Sequence, residues 1–160
     1  VIRILVAASR SWPLDRAHTI ARALDAAYDR ALQGRGLRRW DDPPTTLVSG
    51  HCPDGGDAIA EAYADYLGWR IEEHPALWDD CGPGCPAKPH RIRRRPGDTA
   101  HPGVADTYCP KSGPRRNSLM VSLGADQAVA FPLGKRWSGT RDCGTKAERA
   151  GIPTTWVEAS

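Results

Sequence analysis

The sequence predicts an α/β fold, a parallel sheet of about five strands flanked by helices and interrupted by a Cys/His-rich irregular insert. Three observations predict it. Val1 to Ala7 is β-branched and, Arg3 apart, apolar, enough for a strand buried on both faces. Strand-like and helix-like segments then alternate, which calls for right-handed crossovers and hence parallel strands. From Trp78 to Ser112 the periodicity disappears, and Pro, Gly, Cys, His and Arg take over.

The first strand ends in the polar loop Ala8 to Pro13, and Pro13 is suited to open a helix. Ile20, Leu24, Ala27, Tyr28 and Ala31 recur at three-four spacing and define its buried stripe, up to the Gly34/Gly36 region. Thr45 to Ser49 is a second strand. It runs into Gly50-His51-Cys52-Pro53-Asp54-Gly55-Gly56-Asp57, followed by a helix whose apolar face is read as Ile59, Ala62, Tyr63, Tyr66 and Leu67. Trp69 to His74 is a third strand. Beyond the insert, Pro114 opens a helix with Leu119, Met120 and Leu123 facing inward, and Gln127 to Phe131 is a fourth strand. Gly134 to Thr140 reads as a loop, Asp142 to Ala150 as a helix, and Thr154 to Val157 as a fifth strand.

With 160 residues, 40% hydrophobic and 26% charged, the chain is expected to form a single domain, 1–160, with the insert at 79–112. No apolar run approaches the roughly 18 residues of a membrane span, and Val1 to Ala7 is too brief for a signal-peptide core, so a cytoplasmic location is expected. The net charge of +3 is unevenly spread. Between Pro86 and Arg116, eight Lys/Arg face only Asp98 and Asp106, a local excess of six that leaves the remainder at −3. The basicity therefore belongs to one segment.

In an open parallel sheet, ligands bind beyond the carboxyl ends of the strands, where neighbouring connections diverge. With strand order 3-2-1-4-5, the loops meeting there carry Ser9, Arg10 and Trp12; Gly50, His51, Gly55, Gly56 and Asp57; and Gly139 and Thr140. Gly-rich turns at helix starts let backbone N–H groups approach an anion. Gly113-Pro114-Arg115-Arg116-Asn117 adds two guanidinium groups, which suit phosphate through their forked donors. These residues are the expected site for a phosphorylated or otherwise anionic small molecule. No Gly-x-x-x-x-Gly-Lys-Ser/Thr loop is present, and no Gly-x-Gly-x-x-Gly follows the first strand, which disfavours an ATPase of that type and an NAD dehydrogenase.

Five ordered motifs carry a resemblance: Ala8 to Trp12, Ser49 to Asp57, His74 to Trp78, Gly113 to Met120, and Phe131 with Ser138-Gly139-Thr140. Together they resemble the YspA-type branch of the SLOG superfamily, which also includes the LOG phosphoribohydrolases and DprA. The resemblance implies a Rossmann-like domain that binds a nucleotide or nucleotide-derived ligand. It also implies an N-glycosidase of the phosphoribohydrolase type as the activity, if there is one. The LOG motif Pro-Gly-Gly-x-Gly-Thr-x-x-Glu ends in a glutamate, and Cys143 occupies that position here. Asp57 and Asp142 are then the candidate catalytic carboxylates, and His51 a candidate acid or base. Two alternatives stand beside hydrolysis: a non-catalytic sensor or sequestering protein, and a DprA-like protein that grips nucleic acid. A homo-oligomer is possible in any of them.

Cys81-x3-Cys85-x4-His90-x18-Cys109 is the spacing of a chelate that would order an insert with almost no apolar residues. Structural zinc is the expected cofactor, with His101 as the competitor to His90. The basic run Arg91-Ile92-Arg93-Arg94-Arg95 reads as a lid over an anion or as a patch for nucleic acid. Cys52 and Cys143, each just after a site loop, read as small buried residues.

Overall fold

In the computed structural model of the chain, the described residues are 1–82, 85, 90–93, 99–134 and 138–159. Seven strands and four α-helices occur among them: β1 (Ile2–Ala8), α1 (Ala17–Gly34), β2 (Thr45–Ser49), α2 (Gly56–Tyr66), β3 (Arg70–Glu73), β4 (Arg91–Ile92), β5 (Thr107–Tyr108), α3 (Ser112–Ser122), β6 (Gln127–Phe131), α4 (Gly139–Arg149) and β7 (Thr154–Trp156). The main sheet is parallel throughout, in the order β3-β2-β1-β6-β7. The expected α/β class and five-stranded parallel sheet are both present.

β1 is central because its side chains serve two cores. Ile2, Ile4 and Val6 point to the face covered by α1 and α2, where Ile20, Leu24, Ala27 and Ala60 bury them. Leu5 and Ala7 point to the other face, against Met120 of α3 and Cys143 and Ala147 of α4. The period-two alternation of a strand thus supplies both layers from one short apolar run. Since β1 lies between β2 and β6, the chain changes direction across the sheet there, and the crevice opens at the C-terminal ends of β1 and β6.

Three helix readings need correction. On α2, Ala60 and Ala64 are the deeply buried residues, whereas Tyr66 is 83% exposed and Ala62 and Leu67 also face solvent. Small side chains bring this helix close to the sheet and leave no room for the larger ones. α3 begins at Ser112, and its inner face is Gly113, Asn117, Met120 and Val121, with Leu119 and Leu123 about half exposed. α4 begins at Gly139 rather than Asp142, because the Ser138 hydroxyl caps it by accepting the Arg141 N–H at 3.4 Å. No helix among the described residues is long and apolar enough to cross a membrane.

The insert carries a small aromatic cluster of its own. His101 stacks on Tyr108 at 3.8 Å between ring centres, and Trp78 meets both rings edge-on. The strands β4 and β5 pair antiparallel beside it. The Arg93 guanidinium is consumed internally, donating to the carbonyls of His101, Ala105 and Thr107 and pairing with Asp79. Of the basic run, Arg94 and Arg95 lie outside the described residues, as does Lys88.

Candidate functional site

A cavity of about 210 Å³ lies at the β1/β6 crevice. Of the residues expected to bind a ligand, it brings together Ser9, Arg10, Gly50, Asp57, Arg116, Asn117, Gly139 and Thr140. Gly139 and Thr140 form the first turn of α4, whose leading N–H groups have no partner within the helix and carry the positive end of its dipole. Asn117 ties α3 to this turn by donating to the Gly139 carbonyl at 3.1 Å. Arg116 is fixed in the cavity wall: Nη1 donates to the carbonyls of Gly50 at 2.6 Å and His74 at 3.0 Å, and Nε to Asn117 Oδ1 at 2.9 Å. Its Nη2 makes no hydrogen bond among the described residues. Gly50 permits this arrangement, since a Cβ there would lie 2.4 Å from Arg116 Nη1.

Asp57 is the carboxylate that lines the cavity. It sits in the first turn of α2, 5% exposed, and accepts the Ala8 N–H at 3.2 Å and the Cys52 N–H at 3.3 Å. Those two bonds tie the end of β1 to the loop after β2. Burial pushes its carboxyl up to about 6, against the opposing pull of Arg116 and of the two N–H groups. Asp57 therefore changes charge near neutral pH while facing the cavity.

Asp142 is engaged elsewhere. Its Oδ2 accepts from Lys146 Nζ at 2.9 Å and Asn117 Nδ2 at 3.0 Å, and it is absent from the cavity lining. Five other expected residues also lie apart. Trp12 is buried in the core, edge-on to Phe131 at 5.5 Å. Gly55 and Gly56 pack against the loop after β1: Gly55 has φ +71°, and a Cβ on it would fall 2.2 Å from the Arg10 carbonyl oxygen. His51 turns outward, with Nδ1 3.0 Å from Glu61 and 3.6 Å from Glu73. Arg115 faces the insert, where it donates to the Asp80 carbonyl and to Ser112 Oγ.

The cavity also holds residues that sequence reading left out of the site, namely Ser138, Cys52 and Cys143. Cys143 lies three residues after Thr140, a spacing that returns it to the same helix face. Burial pushes its thiol up to about 12 and raises that of Cys52 as well, so neither is a thiolate nucleophile near neutral pH. The stretch Lys135-Arg136-Trp137, which precedes this turn, lies outside the described residues.

Cys81, Cys85, His90 and Cys109 form a group able to hold a metal ion, with all four donor atoms within 4.8 Å of one another. Cys85 Sγ lies 3.5 Å from Cys109 Sγ and 4.0 Å from His90 Nε2. A tetrahedron with metal–sulfur bonds of about 2.3 Å has edges of about 3.8 Å, which these separations match. His101 is outside the group, stacked on Tyr108. Arg115 lies 3.7 Å from Cys109 Sγ. Burial acts to raise the Cys109 thiol, but the Lys111 N–H, Cys85 and Arg115 outweigh it and bring it down to about 7.

Residues 2–80 match the model of the YspA, cpYpsA-related SLOG family (YAcAr). A protein of Mycobacterium phage D29, described as "Gene 61 protein", is 56% identical over 43 residues, which is 27% of this chain and 34% of that protein. The aligned stretch thus spans about a third of that relative's length.

Proposed function

Taking as premise that residues 2–80 place the chain in the YspA-type branch of the SLOG superfamily, we propose that it binds a nucleoside phosphate in the β1/β6 cavity. One observation carries the reading: the first turn of α4 and the guanidinium of Arg116 converge on the same cavity. The helix turn offers N–H donors and a positive dipole end, and Arg116 offers an Nη2 with no hydrogen bond among the described residues. Arg10 adds charge at the rim, where its Nη1 donates to the Ala100 carbonyl of the insert. Asn117 holds these parts in register by joining α3 to α4.

A second reading, cleavage of the N-glycosidic bond, rests on Asp57. Ionised above its value of about 6, it would stabilise positive charge developing on the ribose or activate water. Asp142 has no such part here, because Lys146 and Asn117 occupy it. Nucleic-acid binding draws less support: Arg93 is used internally, and Tyr108 is buried and so unable to stack on a base.

Zinc is the metal we assign to Cys81, Cys85, His90 and Cys109, in a structural role. Four protein ligands leave no open position on the ion, and its contribution is to tie down an insert whose described residues offer one stacked pair of rings with Trp78 edge-on to it. Arg115 beside Cys109 would offset the negative charge of three thiolates.

Native mass spectrometry with adenosine monophosphate, NAD and cyclic ADP-ribose tests the function. Binding of a phosphorylated ligand is expected, and release of free base would establish cleavage; binding to none of them, with retention of oligonucleotides, would overturn the proposal.

A further inference from the structure

A second cavity of about 440 Å³ lies on the other side of Arg116, between the end of β3, the start of the insert and α3. We propose that it receives the base of a nucleoside 5′-monophosphate whose phosphate lies in the β1/β6 cavity, with Arg116 as the wall between the two halves. This inference rests on the proposed function and names the part of the ligand that the first cavity leaves outside.

Size is the first argument. About 210 Å³ falls below the roughly 300 Å³ at which small-molecule sites begin, so the first cavity alone suits a phosphate and sugar. Continuity is the second. Arg116 lines both cavities, and its Nη1 donates to Gly50 on one side and to His74 on the other.

Chemistry is the third. Leu77 and Leu119 line the second cavity and are 65% and 49% exposed, two large apolar side chains placed where water would otherwise cover them. A planar base laid between them removes apolar surface from water on both faces. Glu73 and Asp80 lie in the same lining and bring carboxylates, which would accept from an exocyclic amino group. Arg115 and Arg116 share this lining and balance the two carboxylates, so the preference for a base rests on the two leucines. The helix turn of α4 in the first cavity and the leucines in the second thus orient the ligand with phosphate toward α4 and base toward Leu119.

The test compares adenosine 5′-monophosphate with ribose 5-phosphate by titration calorimetry, on the wild type and on Leu119→Glu and Leu77→Ser. Leu77 is mostly and Leu119 about half in solvent, and neither belongs to the two core clusters. The wild type is expected to bind the nucleotide at least tenfold more tightly than the sugar phosphate. Either variant should erase most of that difference and leave ribose 5-phosphate unchanged. Equal wild-type affinity for the two ligands, or nucleotide affinity unchanged in both variants, would overturn the base site while leaving the phosphate site standing. Failure of the wild type to bind either ligand would instead remove the proposed function itself.

Discussion

The sheet edge and the insert solve the same problem, holding polar groups in a fixed place, by opposite means. At the sheet edge, backbone geometry does it: Gly55 lies against the Arg10 carbonyl, Asp57 accepts the N–H groups of Ala8 and Cys52, and two apolar layers lie beneath. In the insert the described residues form almost no apolar layer, and Cys81, Cys85, His90 and Cys109 gather within 4.8 Å in its stead. The contrast teaches that one region draws its order from the fold, while the other has donor groups through which a metal ion would order it. Arg115 and Arg116, neighbours in sequence, mark the seam, since successive helical residues diverge by about 100°. Arg116 serves the sheet-edge cavity and Arg115 the cysteines.

The largest effect should come from attacking the sheet edge through its backbone. Gly55→Ala places a Cβ 2.2 Å from the Arg10 carbonyl at φ +71°. A loss of about 2–4 kcal/mol is expected, read as a lower midpoint in urea unfolding of the whole domain. Stability near that of the wild type would show that this loop is not bound to the sheet as described.

Next is the pH dependence of the same region. Asp57 ionises at about 6 in the folded chain against 3.8 ordinarily, so the folded state holds its proton more tightly than the unfolded state does. The stability this gives is fully present below about pH 4 and is lost as pH rises through 6, a fall of about 2–3 kcal/mol. Asp57→Asn should flatten that part of the stability–pH curve. A fall of the same depth in the variant would assign it to another group.

The insert should respond to a different agent. Chelation, or Cys85→Ser, is expected to change the near-ultraviolet signal of Trp78 and Tyr108 and to release one equivalent of zinc, while far-ultraviolet helix content stays within a few per cent. Simultaneous collapse of the sheet would erase the distinction between the two regions. The smallest effect belongs to Asp142→Asn, which loosens a partly exposed pair with Lys146 and should cost about 0.5 kcal/mol. A large loss of ligand affinity there would return Asp142 to the site.

The sequence made the layers legible where side-chain size and period agreed. β1 reads as doubly buried because Ile2, Ile4 and Val6 alternate with Leu5 and Ala7, and the α1 stripe is unambiguous. It misled where small residues make the contact: Ala60 and Ala64 bury α2, while the larger Tyr66 that periodicity favours stands in solvent. At the site, Gly139, Thr140, Arg116 and Asp57 could be placed from their loops. The separation of Asp57 from Asp142 could not, because it depends on Lys146 and Asn117 arriving from different turns and helices. The four metal-ligand candidates were legible as chemistry, with His90 preferred to His101 for its nearness in sequence to Cys81 and Cys85; what the sequence could not show is the stacking of His101 on Tyr108.

The central claim is that a phosphate is held by the first turn of α4 together with Arg116. The most direct test is titration of adenosine 5′-monophosphate and of adenosine into the wild type and into Arg116→Ala. The account predicts that the nucleotide binds far more tightly than the nucleoside, and that Arg116→Ala loses about 1.5–3 kcal/mol of nucleotide affinity, roughly ten- to a hundredfold, with adenosine unaffected. Equal affinity for nucleotide and nucleoside, or nucleotide affinity unchanged in Arg116→Ala, would contradict it.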